Sequence, residues 1–287
     1  MELFPNFRLI RTRDKAVIET GDIVYDVGFV CDPAANRYDH HMGWFNETFS
    51  PKYDIKLSSA GLIYKYFGTD VLEKRGVRRL LSDTLYDFIV DKVYRDIFLP
   101  ADAIDNGYEL PGGIRVRSIQ DVVGSYNTNG GTANYHQKQD SRFHEALAVV
   151  RADLVNYLDN LCGRYVPKLE VVYTEMSRLR STNIYVAEDA YDTQLIKDVE
   201  EMYEFNLDYM ILPRREKYVI YCFTKRGKQF ESKRPLKKEW RGKEGEELKR
   251  ISGIEGIQYV HATGFTGAAE TLEGAITMCR AGSNNSS

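Results

Sequence analysis

The residues of this sequence best suited to chemistry are two adjacent histidines behind an aspartate, Asp39-His40-His41. A second aspartate, Asp26, lies upstream near the end of the apolar run 22–28. Imidazole and carboxylate groups are borderline and hard metal ligands, and in parallel sheets ligand-binding groups gather at the carboxyl ends of the strands. The sequence therefore predicts a metal site that combines Asp26 with the histidine pair.

Two further segments carry candidate site residues. Ser58 and Ser59 precede an apolar helical run, which is an N-cap signal, and the free N–H groups of a helix N-terminus suit an anion. A simple helix cap is the alternative interpretation. Asp102 and Asp105 are three residues apart before an Asn-Gly breaker, so they can share one helical face. They could ligate a metal ion or could be solvated carboxylates.

A basic segment near the C-terminal end contains two aromatic residues, Phe230 and Trp240. Cations interleaved with aromatic rings suit the backbone and bases of a nucleic acid, although a solvated loop is the alternative interpretation. Its cations are Lys225, Arg226, Lys228, Lys233, Arg234, Lys237, Lys238, Arg241 and Lys243.

A glycine-rich turn follows the basic segment. The apolar run 257–260 leads through His261 to Gly264 and Gly267, and a helix is predicted over 269–280. A strand that enters a glycine-rich turn and then a helix is typical of a phosphate cradle. The Gly-x-x-Gly spacing alone is a weak signal.

The elements that position these residues predict an α/β protein. A strand over 7–13, a helix over 14–20 and a strand over 22–27 form a βαβ unit, which indicates a parallel sheet. A long helix over 140–164 is the predicted connector between two domains. Helical spacing marks 72–98, and strands are predicted over 183–186, 210–212 and 217–224.

Composition restricts the class of protein. At 287 residues the chain is long enough for two domains with separate cores. A net charge of -3 gives no overall attraction to nucleic acid or membrane, so nucleic-acid binding requires a local basic patch. The four cysteines contain no CxxC pair, which fits a reducing compartment. No apolar run is long enough to span a membrane and no signal peptide is evident, so an intracellular protein is expected.

The motifs together resemble the MYG exonuclease family, a branch of the DHH phosphoesterases. The N-terminal half carries the resemblance in 9–14, 22–28, 37–41, 57–64 and 102–107, and the C-terminal half in 230–236, 240–242, 251–254 and 259–267. The matching segments span nearly the whole chain in the same order.

The resemblance implies a DHH-type parallel-sheet domain at 1–165 and a smaller mixed α/β, substrate-binding domain at 166–287. It implies a phosphodiesterase that uses Mn2+ or Mg2+ and acts as a 3′-to-5′ exonuclease on RNA or short oligonucleotides, in the nucleus or mitochondrion. Asp26 and His40 would ligate metal together with Asp102 or Asp105, Asp39 would support the histidine, and His41 would face the phosphate. The residues that would hold the substrate's phosphate or terminal nucleotide are Arg234, Arg241, His261, Gly264 and Gly267.

Family members open with a His-x-x-x-His-x-Asp type of segment that supplies further metal ligands, and the present sequence starts after it. Two explanations are open: a truncated sequence, or a nucleic-acid- or nucleotide-binding protein that keeps the fold without cutting. A third alternative is a small-molecule phosphatase such as a pyrophosphatase, because the same set of metal ligands can support hydrolysis of several phosphate esters and anhydrides.

Overall fold

The computed structural model describes residues 3–109, 116–128, 135–180, 182–228 and 230–283, with the backbone alone at 135–137. The chain divides into two compact units, Met1–Val166 and Pro167–Ser287. Both contain helices and a mixed sheet, which confirms the α/β class. Among the described helices, none combines the length and apolarity needed to cross a membrane.

The sheet of the first unit has three very short strands. They are β1 (Val24–Tyr25), β2 (Cys31–Asp32) and β3 (Arg37–Tyr38), in the order β1-β3-β2. The β1–β3 pair is parallel and the β2–β3 pair is antiparallel, so the sheet is mixed. A 3-10 turn at Pro33–Ala35 joins β2 to β3.

The predicted strand over 7–13 is wrong, because this segment has no regular secondary structure in the described chain. Its apolar residues Phe7, Leu9 and Ile10 give it the composition of a short strand, but they do not alternate regularly with its three arginines. A strand also requires a hydrogen-bonded neighbour, and β1 pairs with β3 instead. The helix predicted next is present as α1 (Lys15–Glu19), capped by the side chain of Asp14.

The helices of the first unit surround an apolar core. They are α2 (Ser59–Lys74), α3 (Asp83–Val93), α4 (Leu99–Asp105), α5 (Ile119–Gly124) and α6 (Tyr135–Asn160). Burial of leucine, isoleucine and aromatic side chains stabilises this packing, at about 1.5–3 kcal/mol for each fully buried large residue. The fully buried members include Leu57, Leu62, Leu72, Leu85, Ile89 and Tyr94.

Two helical runs contain a π-helical turn next to a proline. Tyr94–Phe98 joins α3 to α4 two residues before Pro100. Leu161–Tyr165 joins α6 to α7 (Val166–Ser177) two residues before Pro167. A proline has no N–H and its ring crowds the carbonyl four residues earlier, and a widened turn accommodates both effects. The long helix predicted over 140–164 is confirmed by this run.

The second unit is built on a six-stranded sheet of order β4-β5-β6-β9-β8-β7. The strands are β4 (Ile184–Val186), β5 (Tyr209–Arg214), β6 (Lys217–Cys222), β7 (Lys243–Glu244), β8 (Ile257–Val260) and β9 (Thr266–Ala269). Only β4 and β5 pair in parallel among these described strands. Its described helices are α7, α8 (Thr193–Tyr203), α9 (Gly245–Ser252) and α10 (Leu272–Ser283).

The interior of the second unit is formed by the central strands, α9 and α10. Its buried members include Ile211, Ile220, Leu236, Trp240, Leu248, Ile257 and Met278. The strands predicted at 183–186, 210–212 and 217–224 are confirmed as β4, β5 and β6. Their β-branched and aromatic side chains suit a half-buried pleated surface.

Helix α2 is expected to be very sensitive to added volume at Gly61. A methyl group there would overlap the carboxylate of Asp102, a buried residue of α4. Gly61→Ala should therefore lower the free energy of unfolding by about 1–3 kcal/mol. Gly163→Ala is the matched control, because Gly163 is also helical and has open space around it. Equal urea midpoints for the two variants would contradict this packing.

Candidate metal centre

A tight loop follows β1 and leads to β2. The backbone is left-handed at Asp26 (φ 65°), Gly28 (φ 98°) and Phe29 (φ 55°). Glycine adopts this conformation at no steric cost, and aspartate tolerates it better than most residues, whereas it strains a bulky residue such as phenylalanine. The turn places Asp26 immediately after β1, where its N–H donates to the carbonyl of Tyr38 at 3.2 Å.

The carboxylate of Asp39 organises this loop. It is almost fully buried, at 1% exposure. Its Oδ2 accepts the backbone N–H of Phe29 at 2.7 Å. Its Oδ1 accepts the N–H groups of His40 at 2.7 Å and His41 at 3.1 Å, and it contacts Nδ1 of the His41 ring at 2.6 Å. One buried carboxylate therefore fixes the loop after β1 and the orientation of His41.

Electrostatics favour a charged pair at this position. Burial raises the pKa of Asp39, but the hydrogen bonds from His41, Phe29 and His40 outweigh it and leave the pKa lowered. The hydrogen bond to the Asp39 carboxylate raises the pKa of His41, against the opposing effect of burial and with help from the charges of Asp39, Asp26 and Asp105. The sequence-based role for Asp39 needs one refinement, because its side chain contacts the ring of His41 and only the backbone of His40.

The structure brings several predicted ligands together. One ligand atom from each of Asp26, His40 and His41 lies within 4.8 Å of the others, a spacing that could hold a metal ion. The Nε2 atom of His40 lies 3.2 Å from Oδ2 of Asp105 and 3.9 Å from Oδ1 of Asp26. His40 is mostly buried, whereas Asp26 and Asp105 are open to solvent. Carboxylate oxygen and imidazole nitrogen together suit manganese and related divalent ions.

Asp102 lies in a different environment from Asp105. Its carboxylate is fully buried. Oδ1 accepts the backbone N–H of Ser58 at 2.9 Å and its hydroxyl at 2.6 Å, and Oδ2 accepts the hydroxyl of Tyr94 at 2.9 Å. Burial raises the pKa of Asp102, and these hydrogen bonds act in the opposite direction. The structure thus brings Asp105, and not the side chain of Asp102, to His40.

The N-terminus of α2 already contacts an anion from within the protein. Ser58 caps the helix through Gly61 N–H and binds the carboxylate of Asp102. Ser58 and Ser59 are both buried. The hydroxyl of Ser59 has no hydrogen-bond partner among the described residues. The carboxylate of Asp102 therefore occupies the place where the sequence predicted a substrate anion.

Three predicted substrate-binding residues of the second unit meet at the turn between β8 and β9: His261 and Gly264 belong to it, and Arg241, which precedes β7, lies against it. Nε of Arg241 donates to the carbonyl of Leu236 at 3.0 Å. A side chain at Gly264 (φ 75°) would come within 2.7 Å of that nitrogen, so the arginine lies against the turn. The N–H of Gly264 donates to the carbonyl of His261 at 2.8 Å. Nδ1 of the exposed His261 lies 3.0 Å from Oγ1 of Thr263.

The other two predicted residues lie elsewhere. Gly267 is inside β9 and pairs with Ile220 of β6. Arg234 binds the carboxylate of Asp208 at 2.9 Å and the carbonyl of Ser283 at 3.0 Å. The predicted order of strand, glycine-rich turn and helix is wrong, because β9 lies between the turn and α10. The glycines belong to a β-hairpin, where Gly267 leaves room for close strand packing.

The basic segment is largely neutralised within its own unit. Five of the nine cations pair with carboxylates: Lys225 with Glu231, Arg226 with Glu204, Lys233 with Glu200, Arg234 with Asp208 and Lys243 with Glu247. The proposed stacking role of Trp240 is wrong, because its ring is 3% exposed and belongs to the core. Burying the large apolar surface of an indole ring stabilises the fold more than leaving the ring exposed on a loop. Phe230 is 93% exposed.

Comparison with known proteins places the chain in a family. The family described as "Uncharacterised protein family (UPF0160)", MYG1_exonuc, matches residues 1–282. The MYG1 protein of Dictyostelium discoideum is 31% identical over 298 residues, which cover 97% of this chain and 89% of the relative. The MYG1 exonuclease of Homo sapiens is 31% identical over 307 residues, which cover 98% and 80% respectively. The MYG1 exonuclease of Bos taurus is 30% identical, with 98% and 79% covered.

The chain belongs to the MYG1 exonuclease family. No solved structure matches it. Proteins named exonucleases are hydrolases of phosphodiester bonds, so the MYG1 exonuclease family is a nuclease or phosphoesterase family. The resemblance stated from the sequence motifs is confirmed.

Sequence reasoning missed two features of this MYG1 exonuclease site. One is the pairing of Ser58 with Asp102, which lie 44 positions apart. Nothing in either local motif connects them. The other is Phe29, whose backbone binds Asp39 and whose ring lies beside His41. The adjacent Gly28 was a signal for a tight turn there, but the left-handed conformation of Phe29 itself has no sequence marker.

Asp39→Asn is expected to destabilise the first unit. An amide cannot accept at both δ positions, so either Phe29 or the His40-His41 pair loses its partner. The free energy of unfolding should fall by about 1.5–3 kcal/mol, as for a hydrogen bond to a charged group. Asp22→Asn, at an exposed aspartate of the same unit, should stay within about 0.5 kcal/mol of wild type. Indistinguishable denaturation curves for both variants would contradict the central position of Asp39.

Proposed function

We propose that this member of the MYG1 exonuclease family is a metal-dependent phosphodiesterase that removes nucleotides from the 3′ end of RNA. The observation that carries the proposal is the convergence of Asp26, His40 and His41 within 4.8 Å, beside Asp105. The human and bovine relatives are named exonucleases, which supports a nucleic acid as substrate. The choice of RNA, the direction of attack, and a nuclear or mitochondrial location rest on the motif resemblance.

Asp26, His40 and Asp105 are the residues that would hold the metal ion. Two oxygen donors and one nitrogen donor fit Mn2+ or Mg2+, and the carboxylates of Asp26 and Asp105 lie 3.9 Å and 3.2 Å from Nε2 of His40. A bound divalent ion would polarise the phosphate and lower the pKa of an attacking water. We assign this role to the domain at 1–165.

His41 acts on the phosphate. Asp39 holds its Nδ1 atom, so Nε2 is the ring nitrogen left to meet a phosphate oxygen. The ring packs against that of His40, with the centroids 4.3 Å apart, which restricts its rotation. A histidine oriented by a buried carboxylate is pre-organised, so little reorganisation is needed when substrate binds.

The domain at 166–287 binds the phosphate or terminal nucleotide of the substrate. Arg241 is the strongest candidate, because its Nε is anchored on Leu236 while its terminal nitrogens make no hydrogen bond or ion pair with described residues. His261 is exposed on the adjoining turn. A guanidinium group that keeps free N–H donors suits a phosphate. The other two arginines of the basic segment, Arg226 and Arg234, pair with carboxylates, so Arg241 differs from them among the described residues.

Hydrolysis of a short single-stranded RNA in the presence of Mn2+ tests the proposal. Mononucleotides should appear, and a chelator should abolish their release. Asp26→Asn and His40→Ala should each lower the rate of mononucleotide release by at least roughly 10- to 100-fold. Loss of a residue that only supports a metal ligand already has an effect of that size. Tight Mn2+ binding without products would favour a non-catalytic binding protein. Cleavage of pyrophosphate but not RNA would favour a small-molecule phosphatase.

Asp105 and Asp102 provide a matched pair that separates ligation from folding. Asp105→Asn should weaken Mn2+ binding by about 10-fold or more without much change in stability, because the carboxylate is half exposed beside His40. Asp102→Asn should leave the Mn2+ affinity near wild type and lower the free energy of unfolding by about 1.5–3 kcal/mol. Titration calorimetry and urea denaturation measure the two quantities. The reverse pattern would make Asp102 the ligand.

Arg241→Ala should raise KM for the RNA substrate by about 10- to 150-fold, the equivalent of about 1.5–3 kcal/mol for a charged hydrogen bond. The value of kcat should change less, since the metal ligands are intact. Arg226→Ala is the control, because Arg226 is exposed and already paired with Glu204. Equal effects from the two substitutions would indicate general charge attraction instead of a specific contact.

A further inference from the structure

Phe29 combines two unfavourable features in one residue. Its backbone is left-handed at φ 55°, and its large apolar side chain is 71% exposed. Left-handed backbone strains a bulky side chain, and glycine would adopt the same turn freely. Exposure also gives the ring little of the hydrophobic stabilisation that a buried phenylalanine obtains. Neither local conformation nor core packing therefore accounts for an aromatic ring at this position.

The structure holds this ring at a defined place. The backbone N–H of Phe29 donates to Oδ2 of Asp39 at 2.7 Å, while Oδ1 of the same carboxylate contacts the ring of His41 at 2.6 Å. The two rings lie edge to face, with centroids 6.4 Å apart and an angle of 65° between their planes. One buried group thus sets the position of the exposed ring relative to the histidine of the candidate metal centre.

An exposed aromatic ring beside the proposed phosphate-binding centre is suited to stacking against a nucleobase. Bases stack on aromatic side chains whatever their sequence, because every base has a flat π-face. Carboxylate and imidazole groups form the centre itself, and the adjoining ring of Phe29 adds an apolar surface beside them. Such a platform would help to place the adjoining phosphodiester at His41.

We propose that Phe29 is a stacking platform for the base of the nucleotide next to the phosphodiester that is cleaved. The inference rests on the proposed function, since it takes RNA as the substrate. Phe29 acts as a binding residue that positions substrate and does not take part in proton transfer. A base-free phosphate ester would gain nothing from it.

The test compares a short single-stranded RNA with the same oligonucleotide carrying abasic residues at both ends. Binding is measured by fluorescence anisotropy in the presence of Mn2+, and kcat/KM for cleavage is measured in parallel. Phe29→Gly removes the ring and suits the left-handed backbone, so it should unfold at the wild-type temperature or higher. Phe29→Trp restores an aromatic face. Trp44→Ala removes another exposed aromatic ring, which makes no described ring contact with the histidines.

Phe29→Gly is expected to weaken binding of the ordinary RNA by about 5- to 150-fold and to leave binding of the abasic RNA unchanged. Phe29→Trp should recover most of the loss, and Trp44→Ala should behave as wild type. The stacking role of Phe29 would be contradicted if Phe29→Gly weakened binding of both RNAs equally or of neither. It would also be contradicted if Trp44→Ala showed the same base-dependent loss of binding. Absence of cleavage by wild type would instead contradict the proposed function, because anisotropy still reports base-dependent binding.

Discussion

The buried carboxylate of Asp39 is the interaction on which the candidate site depends. It accepts hydrogen bonds from three backbone N–H groups and contacts one imidazole, at 1% exposure. A buried charge is costly unless it is fully satisfied, and here the donors outweigh the effect of burial and lower the pKa. The strands around it are only two residues long and contribute few hydrogen bonds. The loop after β1, the turn into β2 and the orientation of His41 therefore depend more on this side chain than on the sheet.

A second buried carboxylate connects the helices to the same site. Asp102 joins the N-terminus of α2 to α4 through Ser58, and Tyr94 supplies a third donor from the preceding π-helical turn. Gly61 leaves the space that this contact needs. Because Asp105 lies one helical turn further along α4, the anchoring of Asp102 determines where the carboxylate of Asp105 meets His40. Two acidic residues three positions apart thus have separate roles, one in folding and one at the candidate metal centre.

The second unit distributes its charges differently. Most cations of the basic segment pair with carboxylates of the same unit, and Trp240 is part of the core. The exposed pairs among them contribute little stability, but all five reduce the positive potential available to an anionic ligand. Arg241, which lies against Gly264 in the hairpin between β8 and β9, has no such ion pair with described residues.

The sequence alone determined the α/β class and most helices and strands, because these follow from local periodicity. It also determined the family and the grouping of Asp26 with His40, because these follow from short motifs whose chemistry is recognisable. It did not determine the choice between Asp102 and Asp105, since both have the same spacing pattern and differ only in what surrounds them after folding. The strand expected at 7–13 had apolar residues but forms no strand in the described chain. The burial of Trp240 in the core and the exposure of Phe29 beside His41 likewise depend on the tertiary structure. Burial and hydrogen-bond satisfaction depend on residues far apart in the chain, and the tertiary structure alone brings those residues together.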